Sequence, residues 1–197
     1  MQDVYFKHNV LTAAEVNSSQ LHRLHRVKLF SAAICHITHG SKVIIQDDNR
    51  LVAGTGELLI IPADSCLEII NQPAQGAFRS DLLLLSPEII TRFKSSYVQD
   101  YPPAKLRSLC TPMSHSLAFM WASLLDAVRK GLPVKLQEHQ AMGLLLALLH
   151  EGAAGPLLIE RSFKLVEQVR QLIMLSPAKL WTADEIAGRL AMGTSTL

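Results

Sequence analysis

Cys35, His36 and His39 are the side chains whose types and closeness invite a metal, since thiolate and imidazole are both good ligands. On a strand, residues of like parity share a face, so Cys35 points with His39 and against His36. The sequence offers no H-x-H pair with a following carboxylate. A core-lining cysteine beside a strand-end histidine is therefore favoured over a metal site. His22 and His25 fall in HRLHRVK, a basic stretch suited to a solvated strand edge or a polar loop. For catalysis there is no Gly-rich phosphate loop, no G-x-S-x-G elbow, and no cysteine with a base nearby in sequence. The expectation is a non-enzyme with no metal and no cofactor.

Two other groups of residues carry binding chemistry. Arg23, Arg26 and Lys28 lie where the first strong strand begins, and Lys28 with Arg26 would meet the carboxylate of an effector there. The same lysine on an edge strand would serve to keep that edge from pairing. The second group is the hydroxyl-rich run Thr194, Ser195 and Thr196, which suits the start of a helix that reads DNA. Just before it, Thr182 and Glu185 form a capping box, with Asp184 and Glu185 where the helix dipole favours negative charge. Ile186, Ala187 and Leu190 make a narrow apolar stripe behind that cap, and Met192-Gly193 supplies a turn. A capped helix, a turn and the opening of a second helix are the beginning of a helix-turn-helix.

The elements that must position these residues change grammar near residue 85. Before it, Val27–Thr38, Ser41–Gln46, Glu57–Ile61, Cys66–Ile70 and Phe78–Leu85 read as short strands. Turns rich in Gly, Asn, Asp and Pro separate them. Even spacing of this kind predicts a small closed antiparallel barrel. After it the period is helical: a helix from Ser86-Pro87-Glu88 to about Tyr97, then Ser114 to Arg129, Leu136 to His150, and Ser162 to Leu175. Leu117, Trp121, Leu124 and Val128 form one stripe on the second helix. That stripe suits either a dimer interface or the barrel's own flank. The third helix is apolar nearly all round, which predicts burial within the protomer. The expected organisation is a barrel over residues 1–85, a helical flanking and dimerisation region over 86–155, and a linker helix with a partial helix-turn-helix over 156–197.

A length of 197 residues suffices for one substantial core, and a net charge of +2 is too mild to make the body of the chain a nucleic-acid binder. Cys35, Cys66 and Cys110 show no CxxC spacing, which favours reduced thiols and a cytoplasmic protein. The runs Leu82–Leu85 and Leu144–Leu149 fall far short of the roughly 18 residues of a membrane span.

The pattern W-T-x-x-x-I-A-x-x-L-x-M-x-x-S-T-L over Trp181–Leu197 closely resembles the first of two helix-turn-helix units in AraC/XylS-family transcription regulators. That family usually has Ser at the polar turn position where this chain has Gly193, an exchange costing only a few tenths of a kcal/mol. GELLIIPADSCLEIIN, Gly56 to Asn71, is similar to a strand-turn-strand of the family's cupin-like barrel. LLLLSPEIITRF, Leu82 to Phe93, resembles its strand leading into the first helix after the barrel. The resemblance implies an α+β chain: a cupin-like antiparallel β-barrel, an α-helical region and a partial helix-turn-helix. It further implies a bacterial, homodimeric, DNA-binding regulator, of which this chain is mainly the sensing and pairing part. A small apolar or carboxylate-bearing effector is expected in the barrel. Because the chain stops at Leu197, early in the second helix, weak DNA binding without sequence preference is expected of it. A cupin-like binding protein or enzyme, or a partner-regulated interaction module, are the alternatives.

Overall fold

The computed structural model describes residues 2–7, 11–46, 49–98, 109–158, 169, 173 and 179–189. The chain divides into two compact units, Met1–Ile159 and Glu160–Leu197. Among the described residues of the first unit, ten strands form two antiparallel sheets. They are β1 (Gln2–Lys7), β2 (Leu11–Ser18), β3 (His22–Leu29), β4 (Ala32–His39), β5 (Ser41–Gln46), β6 (Asn49–Ala53), β7 (Glu57–Ile61), β8 (Ser65–Gln72), β9 (Phe78–Leu85) and β10 (Cys110–Pro112). One sheet runs β1-β2-β9-β4-β7-β10 and the other β3-β8-β5-β6.

The sheets face each other across an apolar layer in which Cys35, Ile37, Leu59, Ile61 and Phe78 meet Ile44 and Leu67. The larger sheet is also covered on its back by helices α1 (Pro87–Phe93), α2 (His115–Arg129), α3 (Val134–His150) and α4 (Gly155–Leu158). Ile34, Leu58, Ile60, Leu83 and Leu85 pack into that second layer, with Ile89, Phe93, Leu117 and Leu145. A strand buried on both faces reads as an unbroken apolar run. This explains LLII in β7 and LLLL in β9.

Local chemistry sets the ends of the elements. Ser86 caps α1 by accepting from the Ile89 N–H, with Pro87 at the first helical position, and α1 ends in a single π-helical turn over Lys94–Val98. Ser114 caps α2 in the same way through the Leu117 N–H. Gly40, between β4 and β5, has φ +81°, and a Cβ there would lie 2.5 Å from the Gln72 carbonyl oxygen. Only glycine fits such a turn without backbone movement.

The structure refines the sequence-based elements. Val27–Thr38 is two strands with a turn at Phe30-Ser31, and β1, β2, β6 and β10 carry no strong apolar alternation. The back of the larger sheet and the helices share one core, distinct from the layer between the sheets. The four side chains Leu117, Trp121, Leu124 and Val128 are 0–4% exposed in the single chain. They pack the protomer's own core, the second of the two roles that the stripe suited. Their helix faces the sheet because that face is the apolar one. The buried face of α3 includes Ala141, Leu144, Leu145 and Leu148, as its composition predicts.

In the second unit, α5 (Ala183–Arg189) carries the expected capping box. The Glu185 N–H donates to Thr182 Oγ1 at 3.3 Å, and the Thr182 N–H donates to Glu185 Oε2 at 3.1 Å. Ile186 and Ala187 are buried. Thr194, Ser195 and Thr196, and most of the helix expected over Ser162–Leu175, lie outside the described residues.

Candidate effector site between the sheets

A cavity of about 210 Å³ lies between the two sheets. Its wall from the larger sheet includes Val16, Cys35, Ile61, Leu82 and Leu84. The wall from the smaller sheet is built in rows, because residues directly opposite on neighbouring strands present side chains to the same face. Leu24, Ile69 and Ile44 are successive partners across β3, β8 and β5. Next to them, His22, Asn71 and Lys42 make the corresponding row, and all three border the cavity. The site is thus apolar in its body with one polar row at an end.

Lys42 is the unusual member. It is 6% exposed, and its Nζ donates to Asn71 Oδ1 at 2.7 Å and stands 5.1 Å from the centre of the Phe78 ring. An ammonium has three donors, and burying it is costly unless they are met. Among the described residues no carboxylate pairs with it. Ser80 alternates with Phe78 and Leu82 on β9 and so faces the same interior. It is 1% exposed, and its hydroxyl has no partner among the described residues. The arrangement is chemically suited to an anionic group with an apolar body attached.

A second, open cleft of about 710 Å³ lies outside the polar row, with His22 shared between the two. Glu15, Asn17, Ser18 and Gln20 are among its polar lining, with Arg79, and Leu21, Ala77 and Phe78 are its apolar members.

The residues proposed from sequence fall elsewhere. A bulge between Leu24 and Val27 resets the alternation of β3. Val27 therefore turns into the cavity, while Lys28 lies opposite the exposed Cys66 on the outer face. There Lys28 Nζ is 3.5 Å from Asp64 Oδ1. Arg26 sits in the bulge itself at φ +52° and is exposed, and Arg23 pairs with Glu68, which His25 also contacts. The Arg23 hydrogen bond is the main reason the Glu68 carboxyl is held below its usual pKa. Lys42 escaped the sequence reading because Val43, Ile44 and Ile45 beside it leave no visible alternation.

Cys35 lines the cavity, and His36 points from the other face of β4 to Trp121 of α2, ring centres 5.8 Å apart. Burial lowers the His36 pKa from 6.5, against an opposing effect of Asp81. His39, beyond a bulge in the β4–β9 pairing, contacts the Ala74 carbonyl at 2.9 Å. Among the described residues no three His, Cys, Asp or Glu side chains gather in a way that could hold a metal. The Cys110 thiol is pushed up to about 12 by burial and by the charge and hydrogen bond of Glu57. No described helix is long and apolar enough to cross a membrane.

No protein-family model and no curated protein matches the sequence. Solved structures do match its fold. ToxT from Vibrio cholerae, an AraC-family regulator, aligns at 12% identity with a TM-score of 0.59, over 93% of this chain and 72% of that one. Unsaturated fatty acid-bound ToxT from V. cholerae strain SCE256 aligns at 9% identity and a TM-score of 0.59, over 98% of this chain and 73% of its own. ToxT from V. cholerae O395 bound to (E)-4-(8-methylnaphthalen-1-yl)but-3-enoic acid gives 12% identity and a TM-score of 0.60, over 93% and 72%. The chain has the fold of these regulators, a cupin-like β-barrel backed by helices.

Proposed function

We propose that this chain is the effector-sensing and pairing part of a DNA-binding transcription regulator of the AraC type. Its effector is a small amphipathic acid held between the sheets, carboxylate on Lys42 and apolar body toward Leu82, Leu84 and Ile61. The observation that carries this reading is the buried Lys42 ammonium at the end of an apolar cavity, with an amide and a ring as its neighbours. The fold shared with ToxT, which is described with a fatty acid and with a naphthyl butenoic acid bound, supports it. Residues 1–85, joined by β10, form the sensing barrel, the rest of 86–155 the flanking and pairing helices, and 156–197 the linker and the beginning of the DNA-binding domain. The capping box of α5 and the W-T-x-x-x-I-A pattern support the last assignment, with Thr194, Ser195 and Thr196 facing DNA. Binding rather than catalysis is its role, and DNA as partner implies a cytoplasmic protein.

Titration calorimetry with octanoate and octanol tests this. Charge-assisted hydrogen bonds contribute about 1.5–3 kcal/mol, so wild-type protein should bind octanoate and Lys42→Met should bind it about tenfold or more weakly. Octanol binding should be little changed by the substitution. Equal octanoate affinity for the two proteins, both folded by circular dichroism, would remove Lys42 from the site.

A further inference from the structure

We infer that the site selects compact acids, with an apolar body of roughly eight or nine non-hydrogen atoms, and gains nothing from longer chains. This rests on the sensor reading and adds the size of its ligand. An apolar protein cavity of about 150 Å³ holds a benzene ring. Scaled by volume, the cavity of about 210 Å³ has room for little more than a phenyl ring with a short arm, or a seven- to nine-carbon chain.

Two features keep that limit firm. The larger sheet cannot bow outward to admit a longer tail, because Ile34, Leu58, Ile60 and Leu83 on its reverse face are fully buried against the helices. Close-packed interiors of this kind yield little without loss of contact on the far side. Nor can the tail leave by the mouth to advantage. Beyond the polar row the outer cleft is lined by Glu15, Asn17, Ser18 and Gln20, where methylenes remain beside polar groups and water. Leu21, Ala77 and Phe78 are its apolar members, and the Phe78 side chain is already buried beneath Lys42. Of these only Leu21 is a large exposed side chain, and it can cover a methylene or two but not half of a long fatty acid. The polar row at the mouth and the packed back of the larger sheet therefore set the orientation and the length of the ligand.

The test is calorimetry on the wild-type chain with straight-chain acids from pentanoate to tetradecanoate, each below its micelle concentration. Affinity should rise about fourfold per methylene while methylenes are being buried. The rise should stop between octanoate and decanoate, leaving dodecanoate no tighter than octanoate. Leu84→Ala, checked for folding by circular dichroism, should move the break to longer acids by about two or three carbons. An unbroken rise through tetradecanoate overturns the size limit and leaves the sensor reading standing. Failure of every acid to bind overturns both.

Discussion

Lys42 and Lys28 stand two strands apart on one sheet and have opposite roles. A single bulge in β3 sends Lys28 outward to Asp64, while regular pairing of β5 with β8 keeps Lys42 beside Asn71 on the inner face. The sequence shows both lysines and neither orientation, because a bulge has no strict sequence signature and VII after Lys42 is apolar on both parities. His36 offers a test at the same scale. It lies opposite Leu58 of β7 and Asp81 of β9, with Trp121 of α2 over it and Arg129 of α2 3.5 Å from Asp81. Burial lowers its pKa below 6.5 in the folded chain, so between the two values the unfolded chain binds more protons. The corresponding stability is complete above pH 6.5 and is lost as pH falls through the lowered folded value. Urea titrations at several pH values should show stability declining on acidification below pH 6.5, with a shallower decline in His36→Gln. An identical slope in the two proteins would show that burial of His36 is not felt.

At the scale of elements, the periodicities located the strands Ser41–Gln46, Glu57–Ile61 and Phe78–Leu85 and the helices behind them. What they could not supply was which face of α2 is free. Its apolar stripe was legible; its partner was not, because a stripe suited to another protomer is equally suited to the protomer's own sheet. With that stripe buried, the surface these helices leave free is the outer one, where Phe119 of α2 and Leu136 of α3 are 67% and 52% exposed. We propose that these residues pair two copies of the chain. Sedimentation of the wild-type chain is expected to show concentration-dependent association, and Phe119→Asp to abolish it without lowering the melting temperature. A wild-type monomer at high concentration would rule this surface out as a pairing face. The faint strands have a similar explanation. β1, β2 and β10 are recruited by neighbours in the large sheet through backbone hydrogen bonds, which leave no mark on side-chain pattern.

The first unit as a whole places one sheet between two apolar layers. Its front lines the effector cavity through Cys35, Leu82 and Leu84, and its back carries α2 and α3 on Ile34, Leu58 and Leu83. A ligand that filled the front would press on strands whose reverse faces hold α2 and α3. The barrel-plus-helix order was legible in the sequence, and the ToxT fold agrees with it. The cavity was not, since it is made by register between strands far apart in sequence. The most direct test is a crystal structure of this chain grown with octanoate. The carboxylate is expected within hydrogen-bond distance of Lys42 Nζ, with the alkyl chain running between the sheets toward Leu84 and Ile61. Octanoate held on the outer face by Lys28 or in the polar cleft, with none between the sheets, would contradict the assignment.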